Sequence, residues 1–356
     1  MRRKILVAMS GGVDSSVAAL LLLEAGWDVV GVTLRLYDSC ASASRKSCCG
    51  LEDACDAREV ARTLGIEHRI LEHQEAFERL VVEPFVREYA RGRTPNPCIR
   101  CNERVKFGTL WAYARESGCE ALATGHHARI VPVGGRPRLL RGRDAGKDQS
   151  YVLFTLTEEQ RAGLAFPVGE LLKEEVRARA RRAGLPTAEK AESQDICFVA
   201  DGDCAAFVER RLDARDRRPG LIRHVDGNVL RPHDGIHRFT VGQRRGLGIP
   251  DAHPLYVVAL DAETGEVTVG PRGSVGARRF LATDWTWHVP PGERPGTAQV
   301  QVRYHHEPLD ARLLEGAEGV VVEFAHSTHP VTPGQAAVAY LDEAVVGGGW
   351  IAGRLP

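Results

Sequence analysis

Residues 6–26 read LVAMSGGVDSSVAALLLLEAG, and the fold of the chain follows from how this stretch is parsed. The apolar run ending at Met9 has the character of a buried strand. The apolar run after Ser16 has that of a helix closing at Gly26. Between them lie two glycines, an aspartate and three serines. Such a strand–turn–helix is a place to hold phosphate. Gly11 and Gly12 let bare amides approach an anion, Ser10, Ser15 and Ser16 add hydroxyl donors, and the new helix points its amino end at it. A Walker loop would end in a lysine and a Ser or Thr that reach the terminal phosphates. This loop has no lysine. Its serine-rich form suits a pyrophosphate that leaves, and therefore transfer of AMP to a substrate. Asp14 cannot attract a phosphate directly, so it is expected to hold Mg2+.

The next two hundred residues continue the alternation. DVVGVTLRLY (28–37) and EHRILEH (67–73) read as strands, and LEDACDAREVARTLG (51–65) as a helix stopped by Gly65. A helical stretch runs on to Tyr89 and is expected to kink or break at Pro84. ERVKFGTLWAYARESG (103–118) is a further helix and EALATG (120–125) a further strand. This order predicts a doubly wound, mostly parallel sheet, with its ligand at the carboxyl ends of the strands. After Pro219 the segments become short, β-rich and punctuated by Gly and Pro, with hairpin signals at DGN (226–228) and ETGE (263–266). Three domains are expected: 1–205 catalytic, 206–275 a small β-rich domain, and 276–356 a β-barrel.

The 356 residues carry 47 basic and 47 acidic side chains, so net charge decides nothing about partners, but local charge does. Between Arg210 and Gly248 stand ten arginines against four aspartates. That is either a solvated basic face or a surface for a polyanion. No run is long enough to span a membrane, and the apolar stretch near the start is too short for a secretory signal, so a cytoplasmic location is expected. Nine cysteines, an odd number, argue against a disulfide scaffold.

Two cysteine sites stand out. RTPNPCIRCN (93–102) places Cys98 and Cys101 in a proline-stiffened loop before a helix, and SQDICF (193–198) places Cys197 nearly a hundred residues on. A lone CxxC is also half of a structural zinc site, with Cys48 and Cys49 as the other candidates, although adjacent cysteines chelate one tetrahedral ion poorly. Arg100 and Arg104 are expected to favour thiolates nearby.

SGGVDSS (10–16) resembles the pyrophosphate loop of the N-type ATP pyrophosphatases. With TPNPCIRCN, ATGHHAR, GKDQSY, SQDICF, TVGQRRGLGIP, TPGQAAVAY and GGGWIAG following in order, the chain is similar over essentially its whole length to the tRNA-specific 2-thiouridylases. The resemblance implies an adenine nucleotide alpha-hydrolase-like catalytic fold and an ATP site at Ala8, Met9, Ser10, Gly11, Gly12, Val13, Asp14, Ser15, Leu34 and Gly125. It implies a nucleophile at Cys101, a persulfide-forming cysteine at Cys197, and a base-holding loop at Asn96, Pro97 and Cys98. Further tRNA contacts are implied at His126, Lys147, Asp148, Gln149, Arg303, Tyr304 and Gln335, of which Arg303 and Tyr304 would alternate on a strand.

The expected reaction is ATP-dependent adenylation of the C2 oxygen of wobble uridine 34, then sulfur transfer from a cysteine persulfide to give 2-thiouridine, AMP and pyrophosphate. Implied partners are tRNAs for Lys, Glu and Gln, and a cysteine desulfurase or relay protein as sulfur donor. Some family members have an aspartate where this chain has Cys98. Either Cys98 takes over proton transfer, or Cys98, Cys101 and Cys197 hold three irons of a [4Fe–4S] cluster. A competing reading is a non-catalytic RNA-binding module that retains the ATP loop. Cys48 and Cys49 are either surface residues or a sulfur relay.

Overall fold

The computed structural model describes residues 3–37, 51–192, 196–199, 202–326 and 330–355. Cys40, Cys48 and Cys49 lie outside them. The chain separates into two compact units: Met1–Val81 with Cys98–Gly202 and Glu343–Val345, and Val82–Pro97 with Asp203–Asp342 and Val346–Pro356.

The first unit begins with β1 (Lys4–Ala8), α1 (Val13–Glu24), β2 (Asp28–Arg35), α2 (Leu51–Leu64) and β3 (Glu67–Glu72). Ile5, Leu6 and Val7 of β1 are fully buried, as a strand covered on both faces requires. α1 is apolar nearly all round and is correspondingly buried at Val17, Ala18 and Ala19. Gly65 takes the left-handed conformation (φ +67°) just beyond α2, as its stop role demands. The stretch from 74 to 90 is three pieces: α3 (Gln74–Phe77), a π-helical turn (Glu78–Val82) and α4 (Glu83–Ala90). Pro84 sits in the first turn of α4, directly after the π-helical turn, so the helical stretch changes character next to the proline. Then come α5 (Pro97–Arg100), a π-helical stretch (Cys101–Thr109), α6 (Leu110–Glu116), β4 (Ala121–Thr124), the hairpin β5 (Ala128–Val133) and β6 (Arg136–Arg141), α7 (Glu158–Gly163), β7 (Leu164–Ala165) and α8 (Lys173–Arg182).

The sheet of this unit has the order β3-β2-β1-β4-β7 and is wholly parallel. The winding reverses between β1 and β4, whose last residues Ala8 and Thr124 lie side by side. A crevice opens beyond the carboxyl ends at such a reversal, which fixes where a ligand goes. The β5–β6 hairpin, turned at Gly134 and Gly135, has no counterpart in the sequence reading.

The second unit holds α4, α9 (Cys204–Glu209) and two β structures. β8 (Gly220–His224), β9 (Val229–His233), β10 (Tyr256–Leu260) and β11 (Val267–Gly270) form a four-stranded sheet in the order β10-β11-β8-β9. β12 (Arg279–Trp287), β13 (Thr297–Gln301), β14 (Leu309–Gly316), β15 (Gly319–Phe324), β16 (Ala336–Leu341) and β17 (Ala344–Leu355) form a barrel, closed by pairing of β12 with β17. The architecture is therefore the expected one of parallel α/β sheet, small β domain and β-barrel. Residues 82–97, however, are packed with the β structures: Phe85 meets Phe207 edge-on at 6.3 Å, and Thr94 accepts a 2.7 Å hydrogen bond from Gln335 Nε2.

Burial disfavours protonation of four histidines. Burial holds His68, His126, His233 and His237 below the ordinary imidazole value of 6.5, His126 well below it. In the unfolded chain these rings take up protons below pH 6.5, so there the unfolded state binds more protons and stability falls with pH. The limiting slope is about 1.4 kcal/mol per pH unit for each ring that stays neutral when folded. Urea unfolding at pH 7.5 and pH 5.5 is expected to show a lower midpoint at pH 5.5. Equal midpoints would contradict it.

Candidate active site

At the reversal between β1 and β4 lies a cavity of about 210 Å3. It is lined by Ala8, Met9, Ser10, Gly12, Asp14, Ser15, Val32, Leu34, Leu36, Lys106, Thr124, Gly125, His126 and Gln149. Eight of the ten expected nucleotide residues are here; Gly11 and Val13 sit buried in the loop behind them. The loop is built by its own side chains. Ser16 Oγ donates to Gly12 O at 2.9 Å and receives Thr187 Oγ1 at 3.0 Å, so this hydroxyl braces the turn instead of facing a ligand. Ser15 Oγ lies 3.0 Å from Gly12 O and takes the Ser10 N–H at 3.2 Å. Thr33 Oγ1 donates to Met9 O at 2.8 Å and ties the loop entrance to β2.

Two glycines are obligatory for steric reasons. A Cβ on Gly11, which has φ +71°, would stand 2.3 Å from Asp53 O. A Cβ on Gly125 would stand 2.5 Å from Ser15 N and 2.6 Å from Asp14 C. Strand β4 can approach the loop backbone this closely only through glycine.

Asp14, expected to hold Mg2+, is engaged otherwise. Lys173 Nζ donates to its two oxygens at 2.8 and 2.7 Å, and His127 Nε2 lies 3.1 Å from Oδ1. Burial raises the Asp14 pKa, but the His127 hydrogen bond and the Lys173 charge outweigh it and hold the carboxyl below its ordinary value. Lys173 also pairs with Glu192 Oε1 at 2.8 Å, and Lys147 with Glu192 Oε2 at 2.6 Å. Burial likewise raises Glu192, and the two lysines more than reverse it. The lysine missing from the loop is thus supplied from 159 residues away. Lys106, in the π-helical stretch, brings an amine to the cavity wall itself, whereas Lys173 is joined to that wall through Asp14. Nothing local to Lys173 marks it, because its neighbours in sequence read only as a helix start. Asp14 has both oxygens committed to a cation and a histidine, and no three His, Cys, Asp or Glu side chains converge among the described residues. The donor set does not fit a resident metal.

The cysteines lie apart from that cavity wall. Cys98 is exposed on α5, and Cys101, half-buried, opens the π-helical stretch behind fully buried Ile99. Asn102 Nδ2 pins this start to Val152 O at 3.1 Å. Cys197 is half-buried in a turn, anchored by Phe198 edge-on against Phe77 at 5.7 Å. Arg100 and Arg104 both pair with Glu103, at 2.8 and 3.2 Å, which offsets the positive charge expected to favour thiolates.

The expected tRNA positions divide. His126 is buried against Phe107 and Phe166, bonds Thr124 Oγ1 through Nδ1 at 2.6 Å, and walls the cavity with Gln149. Gln149 Oε1 receives the His127 N–H at 2.9 Å. Asp148 is buried and accepts from Gly142 N, Ser150 N, Ser150 Oγ and Arg141 at 2.8–3.0 Å, so its carboxylate staples a loop. Gln335 is buried too and holds Thr94, two residues ahead of Asn96. Lys147 is partly exposed beside Glu192. Arg303 and Tyr304 follow the end of β13 in a turn instead of alternating on the strand, and Arg303 is exposed. Asn96 is half-buried and Pro97 buried at the start of α5.

Residues 3–201 match the family model described as a tRNA methyl transferase HUP domain, 205–271 a tRNA methyl transferase PRC-barrel domain, and 277–351 an aminomethyltransferase β-barrel domain. The curated protein "tRNA-specific 2-thiouridylase MnmA" of Geobacter metallireducens is 49% identical, over 98% of this chain and 97% of its own. This chain belongs to the tRNA-specific 2-thiouridylase family. The protein of that name from Syntrophotalea carbinolica is 48% identical over 98% of this chain and 99% of its own, and that from Geotalea uraniireducens 46% over 98% and 95%. The family-model descriptions speak of methyl transfer. The thiouridylase name belongs to relatives that are alike over nearly the full length of both chains, and is the better guide to this family member.

Proposed function

We propose that this chain is an ATP-dependent tRNA-uridine 2-sulfurtransferase that converts wobble uridine 34 to 2-thiouridine. The observation that carries the reading is the serine-braced loop at the β1–β4 reversal, in a chain nearly half identical end to end with proteins named for that activity. The cavity accepts ATP, with Leu34 and Gly125 towards the adenine and the loop amides towards the phosphates. Lys106 and Lys173 supply positive charge there. Uridine's C2 oxygen is a poor leaving group, and adenylation makes it a good one as pyrophosphate departs.

The persulfide on Cys197 then attacks C2, the C2–O bond breaks and AMP leaves. Cys101 thiolate attacks Cys197 Sγ. The persulfide S–S bond breaks, its electron pair stays on the sulfur at C2, and a Cys101–Cys197 disulfide remains for an external thiol to reduce. Closure of that bond needs the two Cα atoms within about 7 Å. No step is routed through a [4Fe–4S] cluster on Cys98, Cys101 and Cys197, nor through Mg2+ at Asp14, whose oxygens Lys173 and His127 already hold. Cys98, exposed beside Asn96 and Pro97, is assigned to proton transfer near the base.

We assign residues 1–205 to chemistry, and 206–275 with 276–356 to gripping tRNA. Arg244 and Arg245 stand exposed in a turn of the arginine-rich segment. Arg303, Tyr304 and Lys147 are contact positions, while Asp148 and Gln335 act by holding the loops that bear them. The C2 atom of a stacked base is out of reach, so the base is flipped into the site. The tRNAs are those for Lys, Glu and Gln, the donor is a cysteine desulfurase or its relay protein, and the location is cytoplasmic. No described helix is long and apolar enough to cross a membrane.

The test is an assay with unmodified tRNA for Lys, ATP and a persulfide donor. The expected products are 2-thiouridine at position 34, AMP and pyrophosphate in equal amounts. Bound tRNA with no AMP formed would overturn the reading in favour of a binding module.

A further inference from the structure

Arg100, Arg104 and Lys106 bring three cations to the start of the π-helical stretch, and the first two are paired. Both meet Glu103, at 2.8 and 3.2 Å. Lys106 has no ion-pair or hydrogen-bond partner among the described residues, and it is half-buried in the wall of the nucleotide cavity. Of the side chains lining that cavity, Asp14 and Lys106 are the ones that carry a full charge. The charge of Asp14 is met from outside the lining, by Lys173. The uncompensated charge facing a nucleotide is therefore that of Lys106.

Its backbone is fixed on both sides. Val105 and Phe107 are fully buried, Phe107 packs on His126 with ring centroids 5.7 Å apart, and Phe107 O accepts a 2.6 Å hydrogen bond from Gln160 Nε2. Burial disfavours protonation of His126, and the charge of Lys106 pushes the same way. Cys101 opens the same π-helical stretch, five residues before Lys106, the span of one π-turn. One rigid element thus carries both the second thiol and the cation of the cavity wall.

The chemistry calls for a cation at one phosphate in particular. In adenylation the uridine C2 oxygen attacks the α-phosphorus, the bond from phosphorus to the bridging oxygen breaks, its electron pair leaves with pyrophosphate, and the N3 proton of the base passes to water. The α-phosphate is then a diester with a single negative charge. When the persulfide sulfur attacks C2, the C2–O bond breaks, its electron pair stays on that oxygen, and AMP leaves as a monoester with about two negative charges. A cation beside the α-phosphate therefore stabilises departing AMP more than the bound adenylate, which is what accelerates a step. We propose that Lys106 is a catalytic residue whose ammonium holds the α-phosphate oxygens and stabilises AMP as it leaves uridine C2. The assignment rests on the reading of the cavity as the ATP site of a thiolation.

The test is single-turnover thiolation of unmodified tRNA for Lys by the full chain, at saturating ATP labelled on the α-phosphate, with a persulfide donor. ATP affinity is measured alongside by equilibrium dialysis. In Lys106→Met, thiolation is expected to fall about a hundredfold, the loss usual when one charge-stabilising group is removed, while ATP affinity falls less than about tenfold. Label is expected to accumulate on the tRNA as the adenylate, because pyrophosphate still departs. Lys106→Gln, measured beside it in case the methionine variant fails to fold, is expected to behave alike, and Lys106→Arg, which keeps the charge, to recover part of the rate. Wild-type thiolation by a folded Lys106→Met or Lys106→Gln once ATP saturates would make the ammonium a binding group only. A slow variant with no label on its tRNA would place it at the first step, and no recovery by arginine would make its role structural. Any of these overturns the assignment and leaves the ATP site standing. Failure of the wild type to form AMP overturns both.

Discussion

Cys197→Ser is expected to lower tRNA thiolation by about a thousandfold or more, as loss of a covalent nucleophile generally does, with ATP affinity unchanged. A serine hydroxyl cannot carry a sulfane sulfur. Cys197 is also not among the residues lining the nucleotide cavity, so the two sites are separable by mutation. Cys101→Ser is expected to be equally inactive but to stop at a different point. The persulfide can still attack the activated C2, and without the second thiol the tRNA stays attached to Cys197 through a disulfide. That adduct would appear as a shifted band in a denaturing gel and vanish with dithiothreitol. A Cys197→Ser enzyme that thiolates normally would refute the persulfide route, and a Cys101→Ser enzyme without the adduct would refute the order of steps.

Gly125→Ala is expected to weaken ATP binding about a hundredfold with little effect on tRNA affinity. The added methyl meets backbone atoms of Asp14 and Ser15 at 2.5–2.6 Å, so no side chain can swing aside to relieve it. Either β4 or the loop must shift, and overpacking of this kind costs about 1–3 kcal/mol, up to roughly a hundredfold in a binding constant. The shift falls on the amides that face the phosphates. Titration with a fluorescent ATP analogue measures it, and affinity within about twofold of wild type would mean that the loop is not the phosphate site.

Much of this site is legible in the sequence because it is local. Residues 4–24 form strand, glycine turn and helix from their own pattern, and a parallel sheet must present such a turn at its carboxyl edge. Ala8 through Ser15, Leu34 and Gly125 are implied by the family resemblance, and the local pattern agrees with it at Leu34 and Gly125, which fall at the ends of strands. The cysteine motifs are also local, and the resemblance to the family rests on their order along the chain.

Partnership between side chains is not local. Asp14 followed by two serines reads as a metal ligand until Lys173 arrives across the fold and takes both oxygens. The resemblance implies tRNA contacts at Asp148 and Gln335, and only the fold shows that four donors close on the first and that the second reaches back to Thr94. The extent of residues 82–97 was equally hidden, because Phe85 chooses its unit by meeting Phe207, and periodicity says only that it is buried. By itself the sequence determined the phosphate loop, its place at the edge of a parallel sheet, and the family. The tertiary structure alone decided which charges the loop works with. A carboxylate's role is set by the nearest cation, and here that cation lies 159 residues further along the chain.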